Sequence, residues 1–131
     1  MARILVVDDE GMLRGVLRKM LERSGHEVFE AADGVLGASA YRTLRTDVVI
    51  TDIVMPNKDG IQLIIELKKE FPDVRLVAMS GGARTSERDF LEVAKQYGVR
   101  QVLHKPFSRA ELETAIRAAQ LDSGLGTTEA A

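Results

Sequence analysis

The sequence predicts an α/β fold, a doubly wound parallel sheet of five strands with five helices, on the basis of three observations. Apolar runs at 4–7, 48–50 and 74–79, the last interrupted only by Arg75, are too short for helices and too apolar for half-exposed strands. Such runs are typical of buried parallel strands. Segments with apolar residues at helical spacing follow these runs. Alternating strands and helices indicate parallel strands that are joined by right-handed crossovers.

The first third of the chain predicts two strand–helix units. The helix after strand 4–7 has an expected apolar face of Met12, Val16, Leu17, Met20 and Leu21. Gly25 is the expected left-handed cap of that helix. The alternating segment 27–31 predicts an edge strand. Asp33 is the expected N-cap of a second helix that runs to about residue 44.

The middle of the chain predicts a third and a fourth unit. The third strand starts at Val48 and ends in a carboxylate, Asp52, and Pro56 then stops any regular continuation. A turn cluster at 57–60 precedes a helix that ends near Phe71, because Pro72 follows. The fourth strand is predicted at 74–79.

The last unit completes a single domain. Ser86 is the expected cap of a fourth helix with Phe90 on its apolar face, and a fifth strand is predicted at 101–104. Ser108 and Glu111 have the spacing of a capping box at the start of the final helix. We expect residues 1–122 to form one domain, which suits the length of the chain, and residues 123–131 to be a disordered tail.

Composition excludes several classes of protein. The net charge is −2 and both signs are spread along the chain, which predicts no basic surface for nucleic acid or an anionic membrane. There are no cysteines and two histidines, which excludes disulfides and thiolate catalysis and disfavours the usual zinc sites. The apolar runs are much shorter than a membrane span, and the N-terminus does not resemble a signal peptide. We therefore expect a cytoplasmic protein.

Polar side chains follow four of the predicted strands, and parallel strands end at the same edge of a sheet. These side chains are Asp8, Asp9, Asp52, Ser80 and Lys105. Three close carboxylates repel one another and must bind protons or a cation, and oxygen ligands at an open edge suit Mg²⁺. The ammonium and the hydroxyl can contact phosphoryl oxygens. Because a carboxylate can accept a phosphoryl group, Asp52 is the candidate nucleophile.

These residues resemble the motifs of the receiver domain of bacterial two-component response regulators. The matching elements are Val7-Asp8-Asp9-Glu10, Asp52 with Met55-Pro56 and Gly60, Ser80-Gly81, and Lys105-Pro106-Phe107. They agree with the family in residue type, order and spacing, from about residue 3 to residue 121. The resemblance implies a flavodoxin-like receiver with strand order 2-1-3-4-5. The residues after 121 are too few for an output domain, so we expect either a stand-alone receiver or a fragment of a longer regulator.

The resemblance also implies the phosphoacceptor and its metal ligands. Asp52 would form an aspartyl phosphate by accepting a phosphoryl group from a sensor histidine kinase, a phosphotransfer protein or a small donor such as acetyl phosphate. Asp9 would bind Mg²⁺ directly and Asp8 mainly through water. Asp52 and the backbone carbonyl of Val54 would be further ligands.

The resemblance implies a switch and an output surface as well. Ser80 would move its hydroxyl onto the phosphoryl group, Lys105 would neutralise that group, and Pro106 would follow a cis peptide bond that orients Lys105. The surface of the fourth helix, fifth strand and fifth helix would contact a downstream protein or a second copy of the chain. Receivers often carry Tyr or Phe three residues before the lysine, whereas this chain has Val102. Either the output surface is reshaped without an aromatic ring, or its coupling to the site is weaker.

Two alternative functions belong to other classes. A Mg²⁺-dependent phosphotransferase or phosphatase of the haloacid-dehalogenase type normally has a second Asp two residues after the nucleophile, where this chain has Val54. An interaction module independent of phosphorylation usually loses an acidic residue or the lysine, and this chain keeps them all. The favoured interpretation is a signalling phosphoacceptor that catalyses only its own phosphorylation and dephosphorylation. His26 is expected at the surface, and His104 as a partly exposed strand residue.

Overall fold

A parallel sheet of five strands forms the centre of the protein in a computed structural model that describes residues 1–55, 58–81 and 92–122. The strands are β1 (Arg3–Val7), β2 (Glu27–Ala31), β3 (Val48–Asp52), β4 (Leu76–Ser80) and β5 (Gln101–His104). Their spatial order is β2-β1-β3-β4-β5, and every neighbouring pair is parallel. The predicted fold class, strand order and edge position of β2 are confirmed.

Helices connect the strands on both faces of the sheet. They are α1 (Gly11–Arg23), α2 (Gly34–Leu44), α3 (Gly60–Glu70), α4 (residues 92–96) and α5 (Arg109–Leu121). The predicted start of the fourth helix, with its cap Ser86 and Phe90, lies outside the described residues, and so does the predicted tail 123–131. Within the described part of the chain, no helix is both long and apolar enough to cross a membrane.

Each strand of the sheet contributes side chains to two separate cores. Ile4 and Val6 of β1 point into a core that includes Leu17 and Leu21 of α1 and residues of α5. Leu5 and Val7 of the same strand point into the opposite core, which contains residues of α2, α3 and α4. Both faces of β1 are therefore covered, which explains why the strand is continuously apolar and not alternating.

Side-chain caps define the starts of three helices. The predicted cap Asp33 accepts a hydrogen bond from the N–H of Leu36 at 2.8 Å, and the predicted capping box of Ser108 and Glu111 is present. Asp59 forms a further capping box with Gln62 at the start of α3, which sequence analysis assigned only to a turn cluster. Each box satisfies backbone donors that have no partner inside the helix.

The apolar face predicted for α1 is partly wrong. Leu17 and Leu21 are buried, but Met12 is 86% exposed and Val16 is 50% exposed. Successive helical residues are about 100° apart, and the buried stripe is centred one position later than expected. The fourth strand also begins later, at Leu76, because Val74 precedes it in a turn that hydrogen-bonds to Phe71.

His26 is partly buried and its side chain is mostly enclosed, contrary to the expectation of a surface position. Its side chain is 8% exposed. The ring Nδ1 accepts a hydrogen bond from the Ala2 N–H at 3.0 Å, and Nε2 lies 3.0 Å from Glu113 Oε1 on α5. Because Nδ1 is an acceptor, the ring proton belongs on Nε2, where it can be donated to the carboxylate. The residue therefore joins the N-terminus, the α1–β2 connection and α5.

Two glycines provide a matched test of the connection between β3 and α3. A Cβ atom at Gly60 would lie 2.0 Å from the backbone oxygen of Asp52, whereas a Cβ atom at Gly15 in α1 would meet nothing within 4 Å. We expect Gly60→Ala to lower the free energy of unfolding by more than about 2 kcal/mol. Gly15→Ala should raise it by about 0.5 to 1 kcal/mol, since alanine is the better helix former. Urea denaturation measures both values, and equal stabilities would contradict the close approach.

Candidate functional site

The carboxyl ends of the strands bring the predicted site residues to one edge of the sheet. Asp8 and Asp9 follow β1, Asp52 ends β3, Ser80 ends β4, and Lys105 follows β5. Carboxylate oxygens of the three aspartates all lie within 4.8 Å of one another. Asp8 and Asp52 are buried, whereas Asp9 is exposed. The site is therefore a buried acidic pair with a third carboxylate at its mouth.

Asp52 combines deep burial with one cationic neighbour. It is 8% exposed, its Oδ1 accepts a hydrogen bond from the Ile53 N–H at 2.9 Å, and its Oδ2 accepts one from Lys105 Nζ at 3.3 Å. Burial raises the pKa of Asp52 to about 6, and the negative charge of Asp8 adds to this effect. Lys105 opposes the rise without cancelling it. The protonation midpoint of the carboxyl group therefore lies below neutral pH but well above that of an ordinary aspartate.

Asp8 is the most completely enclosed of the acidic residues. Its Oδ1 accepts a hydrogen bond from the Glu10 N–H at 2.9 Å. Its Oδ2 is buried and accepts no hydrogen bond from any described residue, and Lys105 Nζ lies 3.6 Å away. Burial raises the pKa of Asp8 despite the hydrogen bond from Glu10 and the charge of Lys105. A buried carboxylate oxygen without a donor, beside two further carboxylates, fits an oxygen ligand for a hard cation.

Lys105 lies between the two buried carboxylates and is itself only half-buried. Burial acts to lower the pKa of this ammonium, but the charges of Asp52 and Asp8 outweigh it, so the pKa is raised. The Lys105 N–H donates to the carbonyl of Ser80 at 2.8 Å, which ties the end of β4 to the residue after β5. The peptide bond between Lys105 and Pro106 is cis, as the family resemblance implied.

The remaining predicted residues lie around this centre. Ser80 is fully buried at the end of β4, and Val54 is half-buried two residues beyond Asp52. Val102 is a half-buried residue of β5, and Ala78 is opposite it on β4. Gly81 is exposed, and residues 82–91 lie outside the described part of the chain.

One residue that contacts the acidic turn was not predicted from the sequence. Arg14 of α1 donates from its Nη1 to the backbone oxygen of Asp8 at 2.7 Å. Its Nε donates to Glu30 Oε1 on β2 at 2.8 Å. The helical position of Arg14, six residues after Asp8, is compatible with this contact. No local pattern identifies Glu30 as its partner, because the two residues are distant in the chain.

The raised pKa of Asp52 makes stability depend on pH in a defined direction. Between about pH 4 and pH 6 the folded state keeps a proton that the unfolded state releases, so stability falls as pH rises through this window. Each pKa unit between the folded and the unfolded state corresponds to about 1.4 kcal/mol. Above that pH window, the ionised Asp52 therefore lowers the free energy of unfolding by at most roughly 3 kcal/mol.

We therefore expect Asp52→Asn to gain stability relative to the wild type as pH rises from about 4 to about 7 without divalent cations. Urea denaturation across this range measures the difference. The matched control is Asp73→Asn, because Asp73 is exposed and forms no hydrogen bond within the described residues. If the difference in free energy of unfolding between each variant and the wild type does not change with pH, the raised pKa of Asp52 is contradicted.

Comparison with known proteins agrees with this geometry. A family model for the response regulator receiver domain matches residues 4–117. The transcriptional regulatory protein PdtaR of Mycobacterium tuberculosis is 37% identical over 120 residues, covering 89% of this chain and 56% of that protein. Sporulation initiation phosphotransferase F of Bacillus subtilis is 28% identical over 115 residues, covering 88% of this chain and 90% of that protein.

A solved structure shows the same fold. The response regulator protein TrrA of Thermotoga maritima, in complex with Mg²⁺-BeF, has a TM-score of 0.80 and 27% identity, covering 91% of this chain and 99% of that one. The chain spans 12%, 46% and 56% of the length of three of the curated relatives that it matches, PdtaR among them. The match over residues 4–117, together with the shared fold, shows that the chain belongs to the family of response regulator receiver domains of two-component systems.

Proposed function

We propose that this chain is a phosphorylation switch in which Asp52 is the phosphoacceptor. The observation that carries the proposal is the convergence of three carboxylates and one ammonium at the carboxyl edge of the sheet, with Lys105 Nζ 3.3 Å from Asp52 and 3.6 Å from Asp8. A phosphoryl group needs positioning and charge neutralisation more than covalent help from the protein. This set of groups supplies both.

The residues fit a Mg²⁺ ion. Asp8, Asp9 and Asp52 would hold it, with the backbone carbonyl of Val54 as a further ligand, and the donor set consists entirely of oxygen. The unsatisfied Oδ2 of Asp8 supports this assignment. Bound Mg²⁺ would neutralise charge on the phosphoryl oxygens and on the acidic cluster. The relative TrrA, which was solved with Mg²⁺-BeF, supports the same assignment by similarity.

The chemical step is an in-line transfer to a carboxylate. A deprotonated oxygen of Asp52 attacks phosphorus, the bond between phosphorus and the donor breaks, and its electron pair leaves with the imidazole or acetate of the donor. Lys105 pairs with the transferred group in place of its present contacts with the carboxylates. The hydroxyl of Ser80, at the end of the neighbouring strand, donates to another phosphoryl oxygen. Because only the carboxylate anion attacks, the proton on Asp52 must leave first.

The partners proposed for this switch are proteins. A sensor histidine kinase or a phosphotransfer protein would supply the phosphoryl group, and similarity to a sensor kinase and to a sporulation initiation phosphotransferase supports this class of donor. The output would pass through the α4–β5–α5 surface to a downstream protein or to a second copy of the chain. We place the chain in the cytoplasm, with residues 1–122 as the receiver domain. The protein would catalyse only its own phosphorylation and dephosphorylation.

Acetyl phosphate provides a direct test of the acceptor. With Mg²⁺ present, intact mass should show one phosphoryl adduct on the wild type that is stable in acid and lost in base. The adduct should be absent from Asp52→Asn and retained by the control Asp73→Asn. Chelation of Mg²⁺ should reduce adduct formation by about two orders of magnitude or more, because the repulsion among the anions is then uncompensated.

Other results would favour the alternative functions. Multiple turnover of small phosphate esters would indicate a phosphatase or phosphotransferase for free substrates. Absence of an adduct from every donor, including a purified histidine kinase, would contradict the proposal and favour an interaction module that works without phosphorylation.

A further inference from the structure

We propose that Arg14 is a positioning residue for the metal site: it holds the peptide unit between Asp8 and Asp9, and Glu30 on the edge strand β2 holds Arg14. This inference rests on the proposed function, since it assumes that the acidic turn binds Mg²⁺. Arg14 does not contact the carboxylates of the site. It acts on the backbone that joins them.

A chain of charge-assisted hydrogen bonds runs from the surface of α1 to the acidic turn. Arg18 donates to Glu30 Oε2 at 2.9 Å, and Arg14 donates to Glu30 Oε1 at 2.8 Å. Arg14 Nη1 then donates to the backbone oxygen of Asp8 at 2.7 Å. Both carboxylate oxygens of Glu30 thus accept hydrogen bonds from arginines of α1, and Glu30 orients the guanidinium group of Arg14 towards the turn. Hydrogen bonds of this kind are shorter and stronger than neutral ones.

The peptide unit held by Arg14 is the one that determines the direction of Asp9. Asp8 is fixed by contacts that do not involve Arg14. Its side-chain Oδ1 accepts a hydrogen bond from the Glu10 N–H, and its backbone N–H donates to the Ala31 carbonyl at 3.1 Å. The Asp9 carboxylate has no hydrogen-bond partner among residues 1–55, 58–81 and 92–122. Its position therefore depends on the backbone, and Arg14 holds the carbonyl immediately before it.

The surroundings of Arg14 suit a positioning role better than a folding role. The side chains of Arg14 and Glu30 are 19% and 26% exposed, so both are partly shielded and neither belongs to a closed core. They border an open groove of about 590 Å³ beside α2. Water can enter that groove when a side chain is shortened, so substitutions at Arg14 should not leave an empty cavity.

The direction in which substitution of Arg14 changes the affinity for Mg²⁺ distinguishes a positioning role from a purely electrostatic one. Arg14→Gln removes a positive charge near a cation site, and Coulomb's law alone predicts tighter binding of Mg²⁺. If Arg14 positions the ligands, binding should instead weaken, by about tenfold or more, as is usual when a residue that orients a metal ligand is removed. The two effects have opposite directions, so the measurement discriminates between them.

The experiment is a Mg²⁺ titration by calorimetry on the wild type and four variants, with melting temperatures recorded for each. Arg23→Gln is the matched control, because it makes the same charge change at an exposed residue of α1 that forms no ion pair in the described structure. Glu30→Gln removes the residue that orients Arg14. The double variant Arg14→Gln/Glu30→Gln restores the wild-type net charge, which cancels the long-range electrostatic difference.

The expected result is a weaker affinity for Mg²⁺ in Arg14→Gln, a smaller loss in Glu30→Gln, and no additional loss in the double variant, since both residues act through one contact. In NMR spectra recorded before any Mg²⁺ is added, the amide resonance of Asp9 should be shifted in the Arg14→Gln variant. In the Arg23→Gln variant, the Asp9 amide resonance should be at its wild-type position. Removal of the negative charge of Glu30 by itself also weakens Mg²⁺ binding, so Glu30→Gln alone does not separate positioning from charge. If Arg14→Gln does not fold, the double variant carries the test, because its net charge equals that of the wild type and weaker Mg²⁺ binding by it still indicates positioning.

Two outcomes would overturn the inference in distinguishable ways. If the wild type binds Mg²⁺ and Arg14→Gln binds it equally or more tightly, Arg14 does not position the site, and the proposed phosphoacceptor function is unaffected. If the wild type itself neither binds Mg²⁺ nor accepts a phosphoryl group from acetyl phosphate, the proposed function fails and the role of Arg14 fails with it.

Discussion

The carboxylates of Asp8 and Asp52 are both buried, and a single ammonium group, that of Lys105, lies between them. Burial raises the pKa of each acid, and the lysine opposes this rise without cancelling it. The exposed carboxylate of Asp9 adds a third negative group at the mouth of the site. The fold thus maintains an arrangement of like charges that a divalent cation would stabilise, and the other features of the site support that arrangement.

The parallel sheet imposes this arrangement on the charges. Ladder hydrogen bonds fix Asp52 opposite Met79 and place Ser80 opposite His104, and helices cover both faces of the sheet. Strands buried in this way cannot shift their register without exposing apolar side chains. The buried members of the site are therefore held by the sheet, whereas Asp9 lies on an exposed turn and is held through its backbone.

The same sheet provides a physical connection between the site and the proposed output surface. Lys105 contacts Asp52 through its ammonium group and the Ser80 carbonyl through its N–H, so it joins the proposed phosphoacceptor to both β4 and β5. Val102 lies on β5 in register with Ala78 of β4. In the proposed function, a rearrangement at Lys105 would reach the α4–β5–α5 surface through these strands, although no aromatic ring stands at Val102.

The sequence by itself predicted all five strands, with the start of β4 two residues too early, as well as two helix caps and the polar residues at the strand ends, because these depend on local spacing. The spatial order of the strands followed from the family resemblance, which rests on matched motifs. Only the tertiary structure decided that Met12 is exposed, that the His26 side chain packs against α5, and that Arg14 joins Glu30 to the acidic turn. A hydrophobic pattern locates a helix but leaves the rotation of its buried face uncertain by one residue. Contacts between residues distant in the chain follow from how helices pack on the sheet, and no local pattern encodes them.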